Sequence, residues 1–168
     1  MKSVDSVQVL ETTQVNQKIK RMAYEIYEQH FGDKTLVLAG INGQGFVLAK
    51  TLAKTLKEIS ELEVEVIEVQ IDKQNPDPAE VRIADTDFKF KKKPVVIVDD
   101  VLNTGKTLLY ASQLFLNPLI PSVEIAVLVN RSQTRFPVYP RFTGYDLATT
   151  LNDHVRVVLG KQASVFLE

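Results

Sequence analysis

Cysteine is absent from the 168 residues, which excludes disulfide stapling, a thiolate zinc site and a cysteine nucleophile. No apolar run reaches the length that spans a bilayer. The opening Met1-Lys2-Ser3-Val4-Asp5-Ser6 is polar and has no apolar core of a secretion signal, so a cytoplasmic protein without membrane contact is expected. Neither charge sign is in excess: 20 Lys+Arg stand against 21 Asp+Glu, a net charge of −1. That balance argues against a protein built mainly to coat nucleic acid, although it leaves room for a local basic patch. Repeats, low-complexity tracts and breaks in composition are also missing, so residues 1–168 read as a single domain, long enough for a full apolar core.

What is present is an alternation of strand-like and helix-like segments. Residues 14–30 carry Val15, Ile19, Met22, Ile26 and Tyr27 at helical spacing, and Gly32-Asp33 stops that helix. Thr35-Leu36-Val37-Leu38-Ala39 is a short continuous apolar run, as in a strand covered on both faces. A second helix is predicted over 46–58, with Leu48, Leu52, Ala53 and Leu56 on one side, and a strand over 63–71. Asp72-Lys73-Gln74-Asn75-Pro76-Asp77-Pro78 is a loop, since its prolines resist both helix and ladder. Val95-Val96-Ile97-Val98 is the most strand-like run; a helix over 105–116 and a buried strand over 123–129 follow. Residues 136–144 are rich in proline and aromatics, and 155–159 and 164–167 read as short strands about a turn at Gly160. Strand and helix in alternation predict an α/β fold, a parallel twisted sheet flanked by helices. Ligands in such sheets bind beyond the carboxyl ends of the strands.

One of those ends reads Asp99-Asp100-Val101-Leu102-Asn103-Thr104-Gly105-Lys106-Thr107. A helix start offers unpaired N–H groups and a positive dipole end, which suit a phosphate. Gly105 permits close backbone approach, and the hydroxyls of Thr104 and Thr107 can donate to phosphate oxygens. Adjacent carboxylates can accept from a sugar diol or share a magnesium ion through water. The bland alternative is that each residue serves the turn, with Asp as a cap and Asn-Thr-Gly as ordinary turn chemistry. Gly105-Lys106-Thr107 also suggests a P-loop, but that pattern needs glycine at position 100, where the chain has Asp100.

The whole string after four aliphatics resembles the phosphoribosyl-pyrophosphate motif of type I phosphoribosyltransferases. Arg21-Met22-Ala23-Tyr24-Glu25-Ile26, Gly40-Ile41, Leu48-Ala49, Ala126-Val127-Leu128-Val129-Asn130-Arg131 and Val155-Arg156-Val157 extend the likeness to the bacterial pyrimidine-operon regulator and uracil phosphoribosyltransferase family. The resemblance implies transfer of phosphoribose from phosphoribosyl pyrophosphate to a nucleobase, uracil by preference, with Mg2+ as cofactor and a homo-oligomeric state. It implies a phosphate site at Asn103, Thr104, Gly105, Lys106 and Thr107. Asp99 and Asp100 would be the catalytic residues, holding the ribose hydroxyls and, partly through substrate and water, the magnesium. It also implies a pyrophosphate loop at Ile41, Asn42, Gly43, Gln44 and Gly45, and a small C-terminal hood reading the base around residues 144–149, with Tyr145 and Leu147 at the base. An RNA-binding regulator of pyrimidine genes, and a nucleotide-binding domain with weak or lost catalysis, are the alternatives.

The chain departs from the family pattern where cations are expected. Gln44 replaces an arginine in the pyrophosphate loop, and Lys73-Gln74 stands where the flexible loop carries Tyr-Arg. In the hood, Ala148 replaces a proline, and Thr150-Leu151 replaces Ser-Arg. Fewer cations around several phosphate charges predict reduced activity, with Lys73 as a partial substitute. Gly43-Gln44-Gly45 has the wrong glycine spacing for a dinucleotide fingerprint. Lys89-Phe90-Lys91-Lys92-Lys93 is the one dense basic cluster, read as a solvated loop at the far end of the sheet before an RNA contact. His30 is placed at a helix C-terminus among terminal carbonyls, and His154 has no evident partner.

Overall fold

The computed structural model describes residues 6–90 and 92–168; the polar opening of the chain and Lys91 of the basic cluster lie outside them. Its main sheet has six strands in the order β4-β3-β2-β5-β6-β7: β2 (Thr35–Ile41), β3 (Glu63–Gln70), β4 (Arg82–Ile83), β5 (Val95–Leu102), β6 (Val123–Asn130) and β7 (Phe142–Asp146). All neighbours pair in parallel except the short edge strand β4, which runs antiparallel to β3. Helices α1 (Thr12–Gln29) and α2 (Gln44–Ile59) cover one face. The other face is covered by α3 (Lys106–Ser112), which tightens into a 3-10 turn at Gln113–Phe115.

This two-sided cover explains the uninterrupted aliphatic strands. Successive side chains of a strand point to opposite faces, so Leu36, Leu38, Val96 and Val98 join the α1–α2 layer while Val37, Ala39, Val95 and Ile97 join the α3 layer. All eight are fully buried, and each valine, leucine and isoleucine among them contributes roughly 1.5–3 kcal/mol of hydrophobic stabilisation. Helix α1 supplies Val15, Ile19, Met22 and Ile26 from one stripe, and α2 supplies Leu48, Leu52 and Leu56. Among the described residues no helix is long and apolar enough to cross a membrane.

A second, three-stranded antiparallel sheet has the order β1-β9-β8, formed by β1 (Val7–Leu10), β8 (Val155–Val158) and β9 (Ser164–Leu167). The two C-terminal strands are where the sequence predicts them, but the hood also takes its β1 from the other end of the chain. Val155, Val157 and Val165 attach it to the α1–α2 layer, and Thr12 Oγ1 donates to the Ala163 carbonyl at 2.9 Å.

Three local expectations need correction. Strand β5 does not stop at Val98: pairing with β6 continues through Leu102↔Asn130, which puts both acids inside the strand. Residues 142–146 form β7 of the main sheet, so Gly144 and Tyr145, placed around the hood by the resemblance, lie in that sheet. The His30 ring does not engage helix carbonyls, although its backbone N–H does. The ring is buried, with Nδ1 2.7 Å from Asp33 and Nε2 2.7 Å from Glu124, whose other oxygen pairs with Arg141 at 3.0 Å. It ties the end of α1 to β6.

Candidate functional site

At the carboxyl end of β5 a cavity of about 330 Å³ is lined by Lys73, Asp99, Asp100, the turn into α3 and, from the hood, His154 and the start of β8. Asn103, Thr104, Gly105, Lys106 and Thr107 all line it. The sequence-predicted diacid and turn therefore share one wall of one cleft.

The turn is held open by its backbone. Gly105 has φ +87°, left-handed and accessible to glycine at little steric penalty, and it caps α3. The Thr104 carbonyl accepts the N–H groups of Arg135 at 2.8 Å and Phe136 at 3.1 Å. Thr104 Oγ1 accepts the Lys106 N–H at 3.3 Å.

Asp99 is enclosed, with 4% of its surface exposed. Its Oδ1 accepts the Asp100 N–H at 2.9 Å and the Lys73 ammonium at 2.8 Å. The ammonium also reaches Asp100 Oδ1 at 3.3 Å. Burial first, and then the adjacent Asp100 carboxylate, push the Asp99 carboxyl up to about 7 against the pull of Lys73. Burial would lower Lys73, but the two carboxylates outweigh it and hold the ammonium above its ordinary range. The contact favours the charged form of both partners, yet it does not outweigh burial and Asp100 at Asp99. Enclosure of two adjacent acids around one cation dominates at Asp99.

The turn after β2 is braced on both sides. Ile41 is buried at the strand end. Asn42 donates its N–H to the Val69 carbonyl and accepts the Ile71 N–H on Oδ1 at 3.0 Å. Gln44 is the first residue of α2, and its Oε1 accepts the Leu159 N–H at 2.9 Å, fastening the helix to the hood. Gly45 lets that first turn rest on the acid, for a Cβ there would lie 2.8 Å from Asp99 Oδ1. None of the five residues from Ile41 to Gly45 lines the cavity at Asp99.

Tyr145 and Leu147 do not line it either. Both pack against the α1–α2 core cluster, to which Val155 and Val157 also belong, and the Leu147 N–H is bound to the Asn130 carbonyl. The hood wall that faces the diacid is β8 with His154, a histidine to which the sequence assigns no role.

Arg131, to which the sequence reading gave no role of its own, ties the site together. It is buried, and its guanidinium donates to Asn103 Oδ1 at 2.7 Å, Thr149 Oγ1 at 2.8 Å, and the carbonyls of Thr150 at 3.0 Å and Asp153 at 2.8 Å. One side chain thus fixes the first residue of the phosphate-type turn and the segment entering β8. The signal was a cation directly after a buried strand, at the end of the sheet where ligands bind. Of the basic cluster, Lys93 pairs with Glu65 at 3.0 Å just before β5, at the opposite end of the sheet.

Asp99 and Asp100 offer hard oxygen donors suited to a divalent cation held partly through water and ligand oxygens. No group of three or more His, Asp or Glu that could hold a metal occurs among the described residues. A cation here would therefore take its remaining ligands from water and from a bound substrate.

Residues 6–160 match the family described as phosphoribosyl transferase domain. The chain is 34% identical over 161 residues to the bifunctional protein PyrR of Geobacter sulfurreducens, covering 92% of this chain and 91% of that one. It is 32% identical to the bifunctional protein PyrR of Limosilactobacillus reuteri, covering 90% of each chain. Among solved structures, the hypoxanthine phosphoribosyltransferase of Trypanosoma cruzi superposes with a TM-score of 0.73 at 20% identity, over 88% of this chain and 83% of that one. A hypoxanthine-guanine phosphoribosyltransferase of Bacillus anthracis gives 0.70 at 18%, over 86% and 84%. These two likenesses concern the fold.

Proposed function

The chain belongs to the phosphoribosyl transferase domain family, and on that footing we propose that it transfers phosphoribose from phosphoribosyl pyrophosphate to uracil, releasing pyrophosphate, in the cytoplasm. The observation that carries this reading is the shared wall: a diacid and a glycine-capped turn line one cleft at the carboxyl end of the central strand.

In this reading the backbone and hydroxyls of Asn103, Thr104, Gly105, Lys106 and Thr107 hold the 5-phosphate at the start of α3. Asp99 and Asp100 accept the ribose hydroxyls. Their charge also opposes the positive charge that develops on the ribose ring as the bond from C1 to pyrophosphate lengthens and the bond from C1 to the base nitrogen forms. Mg2+, when bound, neutralises the leaving pyrophosphate. The rest is orientation of two reactants in a closed cleft. Arg131 contributes by fixing Asn103 relative to the hood. The base lies against His154 and β8, with Tyr145 and Leu147 supporting that wall from behind. The turn at Asn42 and Gly43 addresses pyrophosphate through its backbone, while Gln44 acts as a brace to the hood.

A panel of nucleobases with phosphoribosyl pyrophosphate and magnesium, read by pyrophosphate release, tests this. Uracil should turn over faster than hypoxanthine or guanine. Faster turnover of a purine would replace the substrate, and no release with any base would remove the activity. A second reading, a nucleotide-binding domain with weak turnover, is favoured by Gln44, whose carbonyl is committed to Leu159. Nucleotide binding without turnover would support it.

A further inference from the structure

We propose that Lys73 is the built-in counter-cation of Asp99 and Asp100, and that a sugar diol or a divalent cation reaches these carboxylates only by displacing its ammonium. The part concerning the sugar rests on the phosphoribosyl reading above; the part concerning the cation does not.

A single Nζ lies 2.8 Å from Asp99 Oδ1 and 3.3 Å from Asp100 Oδ1. The oxygens it occupies are those a diol would donate to or a metal would coordinate. Three ligand types thus compete for the same lone pairs, and the one already in place is covalently attached to the protein. Its local concentration does not fall on dilution, so an external cation binds with an affinity reduced by the cost of moving the ammonium.

The backbone on both sides of Lys73 is pinned, and the side chain is the part free to move. Ahead of it, the Ile71 N–H is held by Asn42 Oδ1. Behind it, Asp72 Oδ1 accepts the N–H groups of Gln74 at 2.9 Å and Asn75 at 3.3 Å, closing a small turn. Displacement therefore needs rotation of a four-carbon stem about a fixed Cα, with no loop opening. The side chain is 36% exposed against 6% for Asp99 and 18% for Asp100, so solvent is available to the ammonium when it leaves. After displacement the carboxylates are open to a diol or metal, and the ammonium becomes available to the anionic leaving group in the same cleft.

The test compares the native protein with Lys73→Met, which keeps the stem and removes the charge, and Lys73→Arg, which keeps the charge. Mn2+ alone, followed by electron paramagnetic resonance, should bind Lys73→Met on the order of tenfold more tightly than the native protein. Lys73→Arg should stay near the native affinity, and adding Asp100→Asn to Lys73→Met should remove the gain. Ribose 5-phosphate should bind Lys73→Met several-fold more tightly, and inorganic pyrophosphate more weakly. Unchanged or weaker Mn2+ binding by a folded Lys73→Met protein overturns the counter-cation role. Tighter Mn2+ binding with no ribose 5-phosphate binding by any form upholds that role and rejects the phosphoribosyl reading. Ribose 5-phosphate binding that Lys73→Met leaves unchanged or weakens overturns the competition while leaving the phosphoribosyl reading intact.

Discussion

Asp99 and Asp100 are neighbours in sequence with opposite surroundings, and their amide variants should separate the effects of burial and of ligand contact. Asp99 is enclosed and its carboxyl is pushed up to about 7, by burial first and by Asp100 second. In the unfolded chain it titrates near the ordinary value of about 4. Between these two values the folded protein holds a proton that the unfolded chain has lost, so this group's contribution to stability falls as pH rises from about 4 to 7 and is most unfavourable above 7. Asp99→Asn cannot ionise and should raise the thermal midpoint at pH 8. The gain should shrink towards pH 5, on a scale of about 2–4 °C per kcal/mol for a chain of this size. A gain independent of pH would show that ionisation is not its source. Asp100 is the more exposed of the two at the cavity wall. Asp100→Asn should weaken phosphoribosyl pyrophosphate binding, measured by calorimetry, with the thermal midpoint almost unchanged.

The residue after strand β6 is a cation that joins the strand to two further segments. Arg131 leaves the strand and reaches the turn before α3 and the stretch before β8 with donors on three nitrogens. A lysine has a single ammonium and lacks the planar fork, so it cannot meet acceptors spread over that arc. Arg131→Lys should therefore lower unfolding free energy by about 2 kcal/mol, from lost charge-assisted hydrogen bonds in a buried place. Amide exchange should accelerate in the 149–153 segment more than in β5. Uniform acceleration across the sheet would mean that the residue supports the core and not the cleft. The α2 start follows the same logic of close contact: Gly45 admits Asp99 where any side chain would collide.

Across the molecule, what could be read from sequence was whatever a local pattern carries. The aliphatic runs of β2, β5 and β6, the stripes of α1 and α2, and the turn at Asn103, Thr104 and Gly105 each follow from residues a few positions apart. β7 was hidden because prolines at 137 and 140 precede a short strand held by distant partners, its parallel pairing to β6 and the Arg21 guanidinium of α1 on the Thr143 and Gly144 carbonyls. β1 was hidden because four residues carry little periodicity and its partner β9 lies at the other end of the chain. The site was half legible for the same reason. The acids and the turn are contiguous, whereas the Lys73 pairing to Asp99 and the Gln44 contact to Leu159 join residues far apart in sequence. The acids, read as following the strand, lie within it because β6 continues the ladder past them. The resemblance locates Tyr145 and Leu147 but does not say which face they present: Tyr145 lies in β7, and neither residue lines the cavity.

The most direct measurement is a crystal structure of the protein with uridine 5′-monophosphate at saturating concentration. The phosphate should lie against the backbone of Asn103, Thr104, Gly105, Lys106 and Thr107, with both ribose hydroxyls on Asp99 and Asp100 and the Lys73 ammonium moved off them. A nucleotide bound elsewhere, with that turn holding no phosphate, would contradict the assignment of this cleft as a phosphoribosyl site.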